Sequence, residues 1–126
     1  MLYHSSIGIP ENVQLPCGRL VLRYSRHALR AAEKDRYGNL RTGLPGDLLA
    51  HRAKLIEVET DDESGQLTKA VYRVNIARGI DLSLAVSPRH DRWFVRTVWG
   101  NLTSDNHATL NTRRYANPVY GRKLAG

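Results

Sequence analysis

The chain has few of the residues that crosslink small domains covalently or through metal ions. Cys17 is its only cysteine among 126 residues, which excludes an internal disulfide and a zinc knuckle built from several thiols. The five histidines show neither a cysteine partner nor the one-turn spacing that places two ligands on one helix face. A glycine-rich phosphate loop with its lysine is also missing. The sequence therefore predicts no metal site, no cofactor and no NTPase activity.

Long apolar segments are missing as well. No stretch approaches the run of about 20 apolar residues that a membrane helix needs, and the N-terminus lacks the pattern of a signal peptide. We therefore expect a cytoplasmic protein that does not associate with a membrane. The length favours a single domain over residues 1–126, with an N-terminal arm at 1–16, a core at 17–100 and a polar C-terminal segment at 101–126.

Acidic residues are outnumbered by basic ones. The chain has 12 Asp and Glu against 19 Lys and Arg, which gives a net charge of +7 and a pI near 10.0. Several of the carboxylates lie in an exposed turn at residues 61–63, which argues against a glycosidase or a two-metal nuclease. Only four of the 19 cations are lysines, and arginine pairs bidentately with phosphate. The charge favours binding to RNA or another polyanion, and a merely solubilising surface is the alternative.

Hydrophobic alternation predicts a strand and a helix at the start of the core. Leu20, Leu22 and Tyr24 alternate with their neighbours in the period of two that is typical of strands. Ser25 is a suitable N-cap for a helix over residues 26–37. Residues 47–52 are interpreted as a short helix, and residues 109–115 as another.

The rest of the core predicts four more strands in sequence order. Acidic, glycine-containing or proline-containing turns connect them and are suited to antiparallel hairpins. The predicted fold class is therefore α+β, with an N-terminal strand and helix followed by a mostly antiparallel four-stranded meander with helices on one face. The four strands are expected at residues 54–60, 67–76, 81–86 and 93–99.

Two histidines are candidates for proton transfer. A metal-free ribonuclease needs one group to take the 2′-hydroxyl proton, one to protonate the leaving 5′-oxygen, and cations for the phosphorane. Histidine does both near neutral pH. His27 lies in the first helical turn and His107 follows the last strand, although a histidine in either place can also be an ordinary surface residue. Three cations on the same helix are predicted to bind nucleic acid: Arg26, Arg30 and Lys34.

Two strand arginines are candidates for binding phosphate. Arg73 and Arg96 lie in central strands, where a cation on a partly apolar face requires an anion. Phosphate is one partner, and an internal carboxylate on the neighbouring strand, Glu57 or Glu59, is the alternative.

Aromatic residues give two further expectations. Alternation places Trp93, Thr97 and Trp99 on one strand face, which favours a place in the core over a base-stacking platform. Near the C-terminus, arginines and a tyrosine form a pattern that can clamp a single strand, with a solvated tail as the alternative. These residues are Arg113, Arg114 and Tyr115.

The order of elements resembles a family of small toxin ribonucleases. The stretch LRYSRHA at residues 22–28, followed by a helix, a hairpin and a late strand ending VRTVW at residues 95–99, is similar to the barnase, EndoU, colicin and RelE group. The resemblance covers residues 20–97 and implies catalytic roles for His27 and Thr97, with Arg96 beside them. The chain departs from the group in having no clear run of catalytic Lys or Arg in the hairpin. The family pattern also does not require the His107 segment.

Two interpretations of function follow. The first is a metal-independent endoribonuclease of toxin type, with an antitoxin or host protein as a possible partner. The second is a non-catalytic basic domain that binds nucleic acid or an acidic host protein. Either is compatible with a phage-encoded protein.

Overall fold

The structure is a computed structural model, and it describes residues 1–5, 8–89 and 92–105. These residues form seven strands, one α-helix and one short 3₁₀ helix. The α-helix, α1, is Arg26–Glu33, and the 3₁₀ helix is Arg41–Gly43. The strands are β1 (Leu2–His4), β2 (Arg19–Tyr24), β3 (Asp47–Leu49), β4 (Lys54–Thr60), β5 (Leu67–Ala77), β6 (Ile80–Arg89) and β7 (Arg92–Leu102).

All seven strands belong to one mixed sheet in the order β1-β4-β5-β6-β7-β2-β3. Strands β4 to β7 pair antiparallel in sequence order, whereas β2 pairs parallel with β7. The predicted fold class, a four-stranded meander with helices on one face, is therefore wrong. The alternation of side chains locates individual strands, but it carries no information on the distant β2–β7 pairing or on the two short edge strands.

One edge strand lies in a segment that was interpreted as a helix, and the other lies in the predicted N-terminal arm. Residues 47–52 were expected to form a short helix, but Asp47–Leu49 is a strand paired with β2, and Leu48 is buried in the core. Within the predicted N-terminal arm, Leu2–His4 pairs with β4. Three-residue strands are too short to show a period, so pairing with a longer neighbour determines their conformation. The helix expected at residues 109–115 lies outside the described residues.

Helix α1 is shorter than predicted because its last turn is replaced by a capped turn. The Lys34 N–H donates to the Arg30 carbonyl, which closes the helix. Next, the Asp35 carboxylate accepts hydrogen bonds from the N–H groups of Tyr37 at 3.0 Å and Gly100 at 2.8 Å. The second bond attaches the end of α1 to β7. No helix among the described residues is long and apolar enough to cross a membrane.

The sheet has one face covered by the main core and one face that is mostly polar. Buried aliphatic side chains of the strands pack against Ala28 and Ala32 of α1 in the main core. On the opposite face, which we call the open face, a small separate cluster consists of Ile56, Val71 and Ala85, with Trp99 against it. The open face is where the charged side chains of the central strands gather.

Candidate functional site

Two rows of paired residues cross the open face. In the first row, Glu57 of β4 pairs with Val71, Val71 with Ala85, and Ala85 with Thr97 of β7. In the second row, Arg73 pairs with Ser83, and Ser83 with Trp99. Paired residues on one face have side chains about 5 Å apart, so the first row has small apolar side chains at its centre and polar ones at both ends.

A cleft of about 530 Å³ lies on this part of the open face. Its floor includes the small side chains of Val71 and Ala85, and charged or aromatic groups surround them. The residues that line it are His27, Glu57, Glu59, Lys69, Val71, Ala85, Arg96, Thr97 and Trp99, and we call this space the cleft. Three of the four catalytic candidates predicted from the sequence, His27, Arg96 and Thr97, are thus brought together in one place.

Ser25 fixes the position of His27. Its hydroxyl accepts a hydrogen bond from the Ala28 N–H at 2.9 Å and donates one to the Arg96 carbonyl at 2.9 Å. Its own N–H donates to the Val95 carbonyl at 3.0 Å. The start of α1 is therefore held against β7, and the exposed His27 side chain lies at the rim of the cleft.

An irregularity in β7 explains how Arg96 and Thr97 both reach the cleft. Val95 pairs with Val86 and Thr97 pairs with Ala85, so Arg96 is an extra residue that has no direct partner in β6. Such a bulge reverses the alternation of side chains beyond it. Residues 97 and 99 consequently lie on the open face, while Val95 is in the main core.

The bulge also separates the two tryptophans. Trp93 packs against the main core, whereas Trp99 packs against the small cluster of the open face and lines the cleft. The expectation that Trp93, Thr97 and Trp99 share one core face is therefore wrong. Trp99 is only half-buried, so part of its side chain is exposed to solvent.

The opposite wall of the cleft contains a lysine between two glutamates. The Lys69 ammonium lies 3.5 Å from a Glu57 carboxylate oxygen and 3.7 Å from one of Glu59. The Glu57 side chain is 4% exposed and that of Glu59 is 41% exposed. The Thr68 hydroxyl donates to the Glu59 carboxylate at 3.3 Å. Glu59 is therefore the carboxylate that is accessible from the cleft.

Sequence reasoning did not assign these three residues to the site. It considered Glu57 and Glu59 only as internal partners of the strand arginines Arg73 and Arg96. The available signal was the spacing of two carboxylates at i and i+2 in a strand opposite a lysine in the next strand, which places all three on one face.

Arg73 pairs with a different carboxylate and does not line the cleft. Its Nε donates to the Asp81 carboxylate at 2.8 Å, and its guanidinium also donates to the Leu102 carbonyl at 2.9 Å. The side chains of Arg73 and Asp81 are 7% and 13% exposed. Burial alone would raise the pKa of Asp81, but hydrogen bonds from Arg73, Asn75 and Thr103 lower it below its ordinary value overall.

The remaining candidates fall into two groups. Arg26 and Arg30 of α1 and Lys34 at its C-cap are exposed and do not line the cleft. The second group lies outside the described residues, and it comprises His107, Arg113, Arg114 and Tyr115.

The chemistry of the cleft combines proton transfer with anion binding. An imidazole and a carboxylate are the groups used most often to move protons in enzymes, and arginine, lysine and threonine can hold a phosphate. In the described ranges, no three His, Cys, Asp or Glu side chains are grouped so that they could hold a metal ion.

Comparisons with known proteins give no relatives from which a function could be transferred. No protein-family model matches the chain, and neither a curated protein nor a solved structure does. The function is therefore inferred from the chemistry of the cleft and from the sequence.

Proposed function

We propose that the protein is an endoribonuclease that cleaves RNA in the cleft without a metal ion. The supporting observation is that His27, Arg96 and Thr97 line one open cleft together with an accessible carboxylate, Glu59. In the proposed reaction, the 2′-oxygen attacks the adjacent phosphorus and the bond to the 5′-oxygen breaks. The products are a 2′,3′-cyclic phosphate and a free 5′-hydroxyl.

Two groups transfer the protons of this reaction. An ionised carboxylate accepts hydrogen bonds and protons only, so Glu59 is suited to take the proton of the 2′-hydroxyl. His27 is then the group that gives a proton to the leaving 5′-oxygen. His107, the counterpart expected from the sequence, is the alternative to Glu59.

Cations and a hydroxyl bind the phosphate. Arg96 forms no ion pair with a carboxylate in the described part of the chain, so its five N–H donors are available to an anion. Donors of this kind stabilise the negative charge that develops on the phosphorane. Thr97, the next residue along β7, adds a hydroxyl that can hydrogen-bond to a phosphate oxygen.

The direct test is cleavage of a labelled single-stranded RNA by the purified protein in EDTA. We expect products with 2′,3′-cyclic phosphate ends, and we expect His27→Ala to reduce the rate by roughly 10²- to 10⁴-fold because a proton-transfer group is lost. His51→Ala is the matched control, since His51 is exposed and does not line the cleft. An uncut RNA, or equal rates for His27→Ala and His51→Ala, would contradict the proposal.

A second comparison identifies the proton acceptor. Glu59→Gln keeps the shape of the side chain and removes its basicity, and His107→Ala removes the alternative. We expect a loss of roughly 10²-fold or more in the first variant and little change in the second. The reverse result would assign the role to His107. RNA that is bound but never cut, by any of these proteins, would favour the non-catalytic interpretation.

A further inference from the structure

A group of arginines surrounds an aromatic ring on the open face beside the cleft. Leu20 and Leu22 of β2 are in the main core, so Arg23 lies on the open face. Arg23 pairs directly with Phe94 of β7. On the other side of β7, Arg89 of β6 pairs with Arg92 of β7. The Arg89 guanidinium lies over the Phe94 ring, 4.8 Å from its centre. We call Arg23, Arg89, Arg92 and Phe94 the arginine patch.

The positive charge of this patch is not neutralised by the described part of the protein. Carboxylates elsewhere on the sheet are paired with other cations, as Asp47 is with Arg19 and Asp81 with Arg73. In the described ranges, the three arginines of the patch form no ion pair with a carboxylate.

Arg89 and Arg92 are like charges at directly opposite positions of β6 and β7. Two like charges opposite each other on a sheet are destabilising. A bound anion would relieve this repulsion. Arginines interleaved with an aromatic ring are typical of surfaces that bind single-stranded nucleic acid.

We propose that the arginine patch binds the phosphates of single-stranded RNA next to the cleaved bond, with one base taking the place of the Arg89 guanidinium over the Phe94 ring and another stacked on Trp99. The identity of the ligand as an RNA substrate rests on the proposed function. Phe94 and Trp99 lie on the same face of β7, five residues apart, which is about 16 Å along the strand. Several nucleotides of one RNA strand therefore lie between the two rings, and Arg96 lies along their path.

The proposed ligand is single-stranded because both rings are only half-buried on a sheet face. A base can stack on such a ring only when its own face is exposed, which base stacking within a duplex prevents. The same patch would hold the phosphates of a duplex through charge alone. A duplex of the same sequence is therefore expected to bind more weakly and without a contribution from Phe94.

Binding is measured with a 2′-O-methyl RNA oligonucleotide, which lacks the attacking hydroxyl and cannot be cut by the proposed reaction. We expect Phe94→Ala to weaken binding by about 5- to 150-fold because a stacked base is lost. We expect Arg23→Ala, Arg89→Ala and Arg92→Ala each to make the slope of log affinity against log salt less negative by about 0.7, because one phosphate contact is lost.

Arg78→Ala is the matched control for the arginine variants, since Arg78 is exposed in the turn between β5 and β6, away from the patch. It removes the same charge and is expected to leave the slope nearly unchanged. An equal loss in Arg78→Ala and in the patch variants would mean that only the net charge matters, and would overturn the proposal. Thermal unfolding of each variant verifies that it is folded.

Tryptophan fluorescence tests the second stacking position. The chain has two tryptophans, so in a Trp93→Phe background the emission comes from Trp99 alone. The oligonucleotide is expected to quench the Trp99 emission in the Trp93→Phe protein. It should also quench it when Phe94→Ala is added to this protein, but at a higher oligonucleotide concentration because binding is weaker. Absence of quenching at saturating oligonucleotide would remove Trp99 from the proposed path.

The outcomes for the patch and for the nuclease are separable. If the patch variants lose affinity while no protein cuts RNA, the arginine patch stands and the proposed function fails. If His27→Ala abolishes cleavage while the patch variants bind like the unmutated protein, the proposed function stands and the patch is refuted. Binding of an acidic polypeptide but not of the oligonucleotide would refute both.

Discussion

Asp81→Asn tests whether Arg73 serves the fold rather than a ligand. The substitution keeps the shape of the side chain but removes the charge that neutralises a guanidinium only 7% exposed. Breaking a buried ion pair from one side costs about 3 to 5 kcal/mol because the remaining charge stays buried without its partner. The Leu102 carbonyl still accepts a hydrogen bond from Arg73, so we expect a loss near the lower end, about 3 kcal/mol.

Urea unfolding measures this loss, and thermal unfolding should show a fall in Tm of roughly 10 °C. The paired substitution Arg73→Met with Asp81→Leu is the control, since exchanging both charges for apolar groups of similar size is often nearly neutral. We expect this double variant to be more stable than Asp81→Asn. A loss below about 1 kcal/mol in Asp81→Asn would refute the reasoning, because the pair would then not be a desolvated one.

The lowered pKa of Asp81 predicts how the difference in stability between the unmutated protein and Asp81→Asn depends on pH. Its stabilising contribution is fully present above the ordinary pKa of an unfolded Asp, about 3.9, and is lost as the pH falls through the lower pKa of the folded protein. The difference in stability between the unmutated protein and Asp81→Asn should therefore be constant near neutral pH and shrink only in acid. A difference that shrinks between pH 6 and 8 would show that another group is responsible.

Two further substitutions test how α1 is attached to β7. Gly100→Ala would place a Cβ 2.5 Å from the Asp35 carboxylate, so we expect the free energy of unfolding, measured in urea, to fall by about 1 to 3 kcal/mol. Gly46→Ala is the control and should change stability little, because there is open space around Gly46. Ser25→Ala removes the hydroxyl that accepts the Ala28 N–H, so we expect the free energy of unfolding to fall by about 1 kcal/mol and RNA cleavage to slow. Restored activity in Ser25→Thr would support a role of the N-cap in positioning His27. Full activity in Ser25→Ala would contradict that role.

Local sequence patterns predicted individual elements better than their arrangement. The alternation of Leu20 and Leu22 located β2, and Ser25 correctly marked the start of α1, because both depend on neighbouring residues only. The pairing of β2 with β7 joins residues about 70 positions apart, and no local pattern encodes it. The capped turn at Asp35 was missed for the same reason, since its partner Gly100 is distant in sequence.

In the candidate site, too, features that depend on neighbouring residues were easier to predict than those that depend on distant strand pairing. His27 could be named as a candidate from the sequence because its place at a helix start is a local property. Trp99 was assigned to the wrong face because strict alternation was carried through Arg96, where the strand contains an extra residue. Lys69 and Glu59 were missed as cleft residues since each is an ordinary surface charge until the register of β4 and β5 places them together.

The parallel pairing of β2 with β7 affects when the cleft can form during protein synthesis. Ser25 must meet Arg96, 71 residues later, before α1 is held in place. At about 5 to 20 residues per second, a ribosome needs on the order of 4 to 14 s to make this interval. Until then the nascent chain carries His27 without Arg96 or Thr97. The synthesising ribosome and its messenger RNA are therefore exposed to a complete cleft only once nearly all of the described chain has been made.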